Sequence, residues 1–174
     1  MRKTSVFWGI VSLVFLFSAC LHGRHTVSVM GYRNQMVFLK KNLYYHVGKL
    51  PADWHDFYSK AKVVSFHNDK LGATISTDAF CGSGFEDLPL RTLTGQYFAG
   101  IAKRKVVKET EFKLADRGAL RTISTGETDG VALKFDSVVV KKNDCTIDFV
   151  YIAPPANYDA GASDFETFYN GFKF

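Results

Sequence analysis

The sequence predicts an α+β protein in which an antiparallel sheet packs with two main helices. Four segments between residues 105 and 152 alternate apolar and polar side chains with a period of two, and short turns join them. One segment before these strands and one at the C-terminus repeat their apolar residues at helical spacing instead. The chain beyond residue 19 is long enough for one domain with a sizeable core.

Residues 1–19 are typical of a secretory signal peptide. Arg2 and Lys3 open the chain, and residues 6–17 are almost wholly apolar but too short to span a bilayer. The small residues Ser18 and Ala19 then stand directly before Cys20. A cationic start, a short apolar run and small residues before a cleavage site together predict export from the cytoplasm.

This ending resembles the bacterial lipobox, in which the cysteine thiol is diacylated and the chain is then cleaved before it. We therefore expect residues 1–19 to be a lipoprotein signal peptide and Cys20 to carry a lipid that holds the protein at a membrane of the cell envelope. Leu21, where an Asp would favour retention at the inner membrane, indicates the outer membrane, with the protein facing the periplasm. The alternatives are an ordinary signal peptide followed by a chance cysteine and an uncleaved anchor.

The charge of the mature chain does not favour nucleic acid as a partner. Arg2 and Lys3 leave with the signal peptide, so the net charge falls from +5 to +3. The densest cationic run, residues 103–105, suits a solvated helix end. No second apolar stretch approaches the roughly 18 residues of a membrane-spanning helix, so we expect a soluble body held by its lipid.

The first part of the mature chain is predicted to be a tether that leads into the domain. We expect residues 20–42 to form the lipidated N-terminus, a tether and a first strand, and residues 43–174 to form a single domain. A strand fits residues 42–47, and Pro51 favours a turn after it. Residues 62–67 and 71–77, on either side of an Asn-Asp-Lys break, are typical of a hairpin.

The remaining elements follow from periodicity and turn residues. A first helix should be capped by Asp87 and run from Leu90 to Ile101. Strands should cover residues 105–115, 119–125, 131–141 and 145–152. A last helix should begin at a capping box made by Ser163 and Glu166. We expect these side chains to be buried against the meander: Leu93, Ile101, Phe165, Phe168 and Phe172.

Two cysteines besides Cys20 need an explanation. Cys81 and Cys145 are an even pair in a chain expected to reach an oxidising compartment, which favours a disulfide. In the alternative, Cys81 is a nucleophile, because it lies in a Gly-rich turn before a helix that could lower its pKa. Three histidines could then supply the base: His46, His55 and His67. The spacing of cysteines and histidines does not predict a metal site.

Paired carboxylates are a further candidate for acid–base catalysis. Glu127 and Asp129 lie close in sequence between two glycines, a pattern that favours a solvated hairpin turn over an acid–base pair. Asp148 should point outward or pair with Lys134 or Arg121. The sequence carries no G-x-S-x-G, P-loop or dinucleotide fingerprint, and we expect no cofactor.

Several short motifs, in this order, give the chain a resemblance to a known family. They are Glu86-Asp87-x-Pro89-Leu90 after Cys81, Arg117-Gly118-Ala119-Leu120-Arg121-Thr122, Glu127-x-Asp129-Gly130-Val131, Cys145-x-x-Asp148-Phe149 and Phe165-x-x-Phe168-x-x-x-Phe172. Over residues 43–174 this order resembles the PsbP-like αβα sandwich, and in particular small bacterial envelope proteins related to that fold. The resemblance implies a fold and not a reaction, and it carries over no catalytic residue.

Three functional hypotheses follow. The first is a non-catalytic accessory lipoprotein that binds an unidentified protein partner at an envelope membrane. The second is a lipoprotein that binds a small ligand or lipid between sheet and helix. The third is an enzyme that depends on the Cys81 thiol. The first requires only the features described above, and we therefore expect a protein that is not an enzyme.

Overall fold

The computed structural model describes residues 28–40, 42–57, 63–82 and 88–174. The predicted signal peptide, Cys20 and the predicted helix cap Asp87 lie outside these ranges. Within them, neither helix has the length and apolar character that crossing a bilayer would require.

The chain first forms a small antiparallel sheet of three strands, β1 (Gly31–Arg33), β2 (Met36–Lys40) and β3 (Leu43–His46). Val29, Val37 and Tyr45 of this region are buried in the main core. We predicted a tether and a first strand within residues 20–42, and in the described part of that segment the structure has two strands, β1 and β2. Their backbone groups pair with one another and with β3, and their apolar side chains leave water, so the domain begins well before residue 43.

The main sheet contains seven antiparallel strands. They are β4 (His55–Asp56), β5 (Val64–Asn68), β6 (Ala73–Cys81), β7 (Ala102–Leu114), β8 (Arg117–Thr128), β9 (Val131–Lys142) and β10 (Cys145–Ala153). Their order across the sheet is β4-β5-β6-β10-β9-β8-β7. The predicted hairpin and four-stranded meander are both confirmed, and the pairing of β6 with β10 joins them into one sheet. The two-residue strand β4 was not predicted.

The tight turns of the meander have a common backbone feature. Positive φ angles occur at both central residues of the three hairpins, which are Ala115 and Asp116, Asp129 and Gly130, and Asn143 and Asp144. Two-residue turns with positive φ match the right-handed twist of the strands they connect. The Asp, Asn and Gly residues at five of these six positions tolerate that backbone, which explains why the turns could be predicted from sequence.

The first helix, α1 (Leu90–Tyr97), is shorter than predicted. Leu93 is buried as expected, whereas Ile101 lies beyond the helix and is only partly buried. Phe98, the residue that ends α1, packs instead against Phe135 of β9, with ring centroids 5.6 Å apart. The helix therefore covers the β8–β9 part of one sheet face.

The second helix, α2 (Tyr158–Asn170), starts six residues earlier than predicted, counted from N-cap to N-cap. Its N-cap is Asn157, and the predicted capping box is wrong. Ser163 lies inside the helix, where its carbonyl accepts a hydrogen bond from the Thr167 hydroxyl (3.0 Å). The Glu166 carboxylate does not reach back to the helix start, because it accepts a hydrogen bond from Arg121 (2.7 Å).

A glycine explains the early start of α2. A Cβ atom at Gly161 would lie 2.5 Å from the Tyr151 hydroxyl oxygen, so only glycine lets this turn of the helix approach β10 so closely. We predicted the helix start after Gly161, at Ser163, whereas packing against the sheet favours helix at Gly161 already.

The two helices lie on opposite faces of the main sheet. On the α2 side, Phe165 packs on Tyr151 at 5.8 Å and Phe168 packs on Phe149 at 6.1 Å, measured between ring centroids. Phe165, Phe168 and Phe172 are all buried, which confirms the predicted aromatic stripe. The small sheet packs on this side too, where the Tyr45 ring meets Phe149 and Phe172.

Candidate functional site

Two carboxylates meet on the α1 side of the main sheet. Asp78 of β6 and Asp148 of β10 are direct cross-strand partners. The same alternation places Val150 on this face, where it joins the cluster of Phe98 and Phe135 under α1. Directly opposed residues of antiparallel strands have Cβ atoms about 4.5–5.5 Å apart. The two carboxyl groups therefore share one environment, which we call the carboxylate pair.

Burial changes the proton affinity of the carboxylate pair. Asp148 is 7% exposed, and this burial, together with the Asp78 carboxylate, raises the pKa of Asp148 from 3.8 to about 7. Burial also raises the pKa of Asp78 to about 6, although the Ala79 N–H donates to its carboxylate (2.7 Å) and acts in the opposite direction. Between these two pKa values Asp78 is mostly ionised and Asp148 is mostly protonated, so the pair carries close to one negative charge.

Polar groups surround the carboxylate pair. The Tyr97 side chain at the end of α1 hydrogen-bonds with Ser76, and burial, together with the two carboxylates, raises the pKa of Tyr97. Thr146 is 3% exposed and lies two residues from Asp148 on the same face, yet among the described residues its hydroxyl has no hydrogen-bond partner. A buried hydroxyl without a partner is costly, so it marks a place where a ligand or partner group would be stabilised.

This arrangement can bind a cation or exchange a proton. Two carboxyl groups of low solvent exposure attract a positively charged group, and unpartnered hydroxyls can accept hydrogen bonds from it. Among the described residues, no three His, Cys, Asp or Glu side chains are grouped as a metal site would need. The site therefore suits an ammonium or guanidinium group, which brings its own hydrogen-bond donors.

The carboxylate pair predicts a specific pH dependence of stability. Because each carboxyl has a higher pKa in the folded chain than in the unfolded chain, the folded state binds more protons, and the free energy of unfolding should fall as pH rises from about 4 to about 7. Replacing Asp148 by Asn keeps the shape but removes the charge. We expect Asp148→Asn to raise the free energy of unfolding by about 2 kcal/mol at pH 8, measured by urea denaturation.

The same variant should change stability little at pH 3.5, where the carboxyl is protonated in the folded state and mostly protonated in the unfolded state. Asp116→Asn, in an exposed turn, is the matched control and should have no such pH-dependent effect. Equal loss of stability at both pH values would contradict the raised pKa of Asp148.

The structure shows where the two predicted disulfide cysteines lie. Cys81 and Cys145 form a disulfide between β6 and β10, in which they are direct cross-strand partners. A disulfide sulfur is not a thiolate, so in this oxidised form Cys81 cannot act as the nucleophile of the alternative hypothesis. Cys20 lies outside the described residues.

The three candidate histidines lie away from Cys81. His67 bonds Thr74 at the far end of β6, seven residues from Cys81, which corresponds to roughly 23 Å along a strand. His55 and His67 instead lie on either side of Asp69, at 3.7 and 3.6 Å. His46 lies in β3 of the small sheet.

The other predicted carboxylates do not form a pair. Glu127 accepts a hydrogen bond from the Lys103 ammonium (2.9 Å), and Asp129 stands in the exposed β8–β9 turn, which supports the turn interpretation. The expected partners of Asp148 are wrong. Lys134 lies over the Tyr158 ring at 3.6 Å, and Arg121 lies on the α2 side of the sheet.

Arg121 is the centre of a buried network that the sequence analysis missed. Its guanidinium donates to both carboxylate oxygens of Asp136, at 2.7–3.2 Å, and to Glu166 at 2.7 Å. Asp136 is fully buried and also accepts a hydrogen bond from the Tyr158 hydroxyl (2.6 Å). Burial acts to lower the pKa of Arg121, but its hydrogen bonds with Asp136 outweigh this effect and raise it. The network ties β8, β9 and α2 together.

One signal could have revealed the carboxylate pair. If Cys81 and Cys145 are taken as direct partners of antiparallel strands, the residues three before Cys81 and three after Cys145 must also be opposite each other. Those residues are Asp78 and Asp148. We predicted the disulfide but did not derive the register of the two strands from it.

The shape of the molecule can be compared with solved structures. The solution structure of cyanobacterial PsbP (CyanoP) from Synechocystis sp. PCC 6803 matches 85% of this chain and 91% of its own, with a TM-score of 0.56 and 14% identity. The fold is PsbP-like. LpqN from Mycobacterium tuberculosis matches 86% of this chain and 91% of its own, with a TM-score of 0.58 and 8% identity.

These likenesses concern the PsbP-like fold alone, because sequence identity is so low. No family model and no curated protein matches the sequence. The two-helix α+β architecture predicted from sequence is therefore confirmed, and function has to be argued from the residues of this chain.

Proposed function

We propose that the protein is a lipid-anchored, non-catalytic accessory protein of the bacterial cell envelope that binds a protein partner. The observation that carries this proposal is the N-terminal pattern of Arg2-Lys3, an apolar run over residues 6–17 and Cys20 after two small residues. The Cys81–Cys145 disulfide supports it, since stable disulfides are typical of oxidising compartments such as the periplasm. LpqN, which has the same fold, is described as involved in cell envelope biogenesis, in agreement with that compartment.

The partner surface that we propose is the α1 side of the main sheet. The carboxylate pair and the half-exposed Tyr97 offer negative charge and an aromatic ring at one place. A Lys or Arg side chain of the partner would neutralise Asp148 and so relieve the cost of its ionisation. Perturbed carboxyl groups of this kind are candidates for a functional role.

The anchor has a direct test. We expect Cys20→Ser to accumulate as an uncleaved precursor that takes up no labelled palmitate, because the thiol that receives the diacylglyceryl group is absent. The parent chain should take up the label and bind membranes stably, since two acyl chains are needed for lasting attachment. Unchanged palmitate incorporation in Cys20→Ser would contradict the assignment of Cys20.

The partner surface needs a separate test. A photo-crosslinking amino acid at position 97 should give one protein adduct of defined mass in intact cells, and Asp148→Asn should abolish it. The same amino acid at position 116 is the control. If purified protein instead carries a bound small molecule that Asp148→Asn releases, the function is ligand binding, our second hypothesis.

A further inference from the structure

The outer face of the small sheet is unusually apolar and aromatic for an exposed surface. Val37 and Tyr45 point into the core, so their neighbours on β2 and β3 point outward. The outward residues are Arg33, Met36, Phe38, Tyr44 and His46, which the strand register places together. The Phe38 and Tyr44 rings are 6.0 Å apart, and Tyr44 is 44% exposed. Met30, which precedes β1, is 74% exposed.

Charge is distributed very unevenly between this region and the rest of the chain. Residues 20–52 contain five Lys and Arg residues and no Asp or Glu. Residues 53–174 contain 15 Lys and Arg against 17 Asp and Glu. The whole positive excess of the mature chain therefore belongs to its first 33 residues, the part that contains the small sheet. Lys173 adds a further cation beside it, because its backbone pairs with His46.

The chain connects this surface closely to the proposed anchor. The described residues begin at position 28, eight positions after Cys20. Eight fully extended residues span at most about 29 Å, so a lipid on Cys20 keeps residue 28, three residues before the small sheet, within that distance of the bilayer. The carboxylate pair lies on the opposite face of the main sheet from the small sheet.

We propose that the outer face of the small sheet lies on the surface of an anionic phospholipid bilayer. We call this face, made of Arg33, Met36, Phe38, Tyr44 and His46, the membrane face. Tyr44 and Phe38 enter the interfacial region, where aromatic side chains are favoured. Arg33 on this face and Lys173 beside it contact lipid phosphates, as polybasic segments beside a membrane anchor do. This inference rests on the proposed anchor at Cys20 and adds that the protein is held in one orientation.

The first experiment uses tryptophan fluorescence in the lipidated protein. The protein is reconstituted in vesicles of phosphatidylethanolamine and phosphatidylglycerol whose acyl chains carry bromine, a quencher of nearby tryptophan. After subtraction of the parent signal from buried Trp54, the emission added by Tyr44→Trp should fall at least twofold in brominated vesicles. Tyr97→Trp, at a similarly exposed tyrosine on the opposite side of the main sheet, is the matched control and should not be quenched.

A second experiment separates the membrane face from the anchor. The mature chain with Cys20→Ser has no lipid, yet it should sediment with phosphatidylglycerol vesicles in 50 mM NaCl, and at least fivefold less in 500 mM NaCl, because the attraction is electrostatic. Arg33→Glu should weaken this binding at least threefold. Arg117→Glu, an equally exposed arginine outside the small sheet, should leave it unchanged.

The outcomes distinguish the two proposals. If the lipidated protein floats with vesicles but neither added tryptophan is quenched, the anchor is supported and the membrane face is overturned. A protein found to cover that surface would also overturn the membrane face. If the protein carries no lipid, the proposed anchor is wrong. The membrane face is then tested by vesicle binding of the mature Cys20→Ser chain alone. Absence of that binding to phosphatidylglycerol vesicles would overturn the membrane face.

Discussion

Replacing Arg121 by Met should lower the free energy of unfolding by about 3–5 kcal/mol. Asp136 is fully buried, and Arg121 is the cation that neutralises it. Met fills much of the volume of the arginine stem but leaves the Asp136 charge inside the protein, where among the described residues only the Tyr158 hydroxyl remains as its hydrogen-bond partner. Urea denaturation at pH 7 would measure the loss.

A second substitution tests the cause of this loss. Arg121→Met combined with Asp136→Asn removes the buried charge and keeps an acceptor for Tyr158, so it should recover more than half of the stability lost by Arg121→Met alone. Arg117→Met, at an exposed arginine of the same strand, is the control and should stay within about 0.5 kcal/mol of the parent. If the double variant were less stable than Arg121→Met, lost packing rather than charge would explain the effect.

Removing the Cys81–Cys145 disulfide should lower stability by about 4 kcal/mol, because the bond constrains the unfolded chain across a sequence separation of 64 residues. For a domain of this size we expect the melting temperature to fall by roughly 10 °C. The double variant Cys81→Ala with Cys145→Ala is the proper test, since a single change would leave a thiol able to cross-link two molecules. Calorimetry of the two proteins gives the difference.

Reductant provides the control for that experiment. It should lower the melting temperature of the parent to that of the double variant and leave the double variant unchanged. If the folded protein is denatured without reductant and then alkylated, neither Cys81 nor Cys145 should be labelled. Recovery of alkylated Cys81 from protein purified from the periplasm would contradict the disulfide and return the nucleophile hypothesis.

The sequence by itself determined the features that depend on neighbouring residues. The β7–β8, β8–β9 and β9–β10 hairpins follow from period-two alternation and from Asp, Asn or Gly at the turns. The stripe of Phe165, Phe168 and Phe172 follows from helical periodicity in the same way. Both patterns extend over at most a dozen residues, so they can be recognised in the sequence without knowledge of the fold.

The tertiary structure decided what depends on distant segments. The small sheet has only short apolar runs, and strands of 3–5 residues are stable here because Tyr45 packs against Phe149 and Phe172. The start of α2 depends on the contact of Gly161 with Tyr151. Neither contact leaves a pattern in the nearby sequence, and local propensity alone predicted a tether with one strand in place of the two strands β1 and β2, and a later start of α2.

The candidate site belongs to this second group. Asp78 and Asp148 became a pair only through the register of β6 against β10, two strands that are far apart in the chain. A shift by one residue would place the two side chains on opposite faces. Burial then raised the pKa of both carboxyl groups, since desolvation depends on everything that surrounds the site and not on its sequence neighbours. The residue types were visible in the sequence, but their proximity and their proton affinity come from the fold.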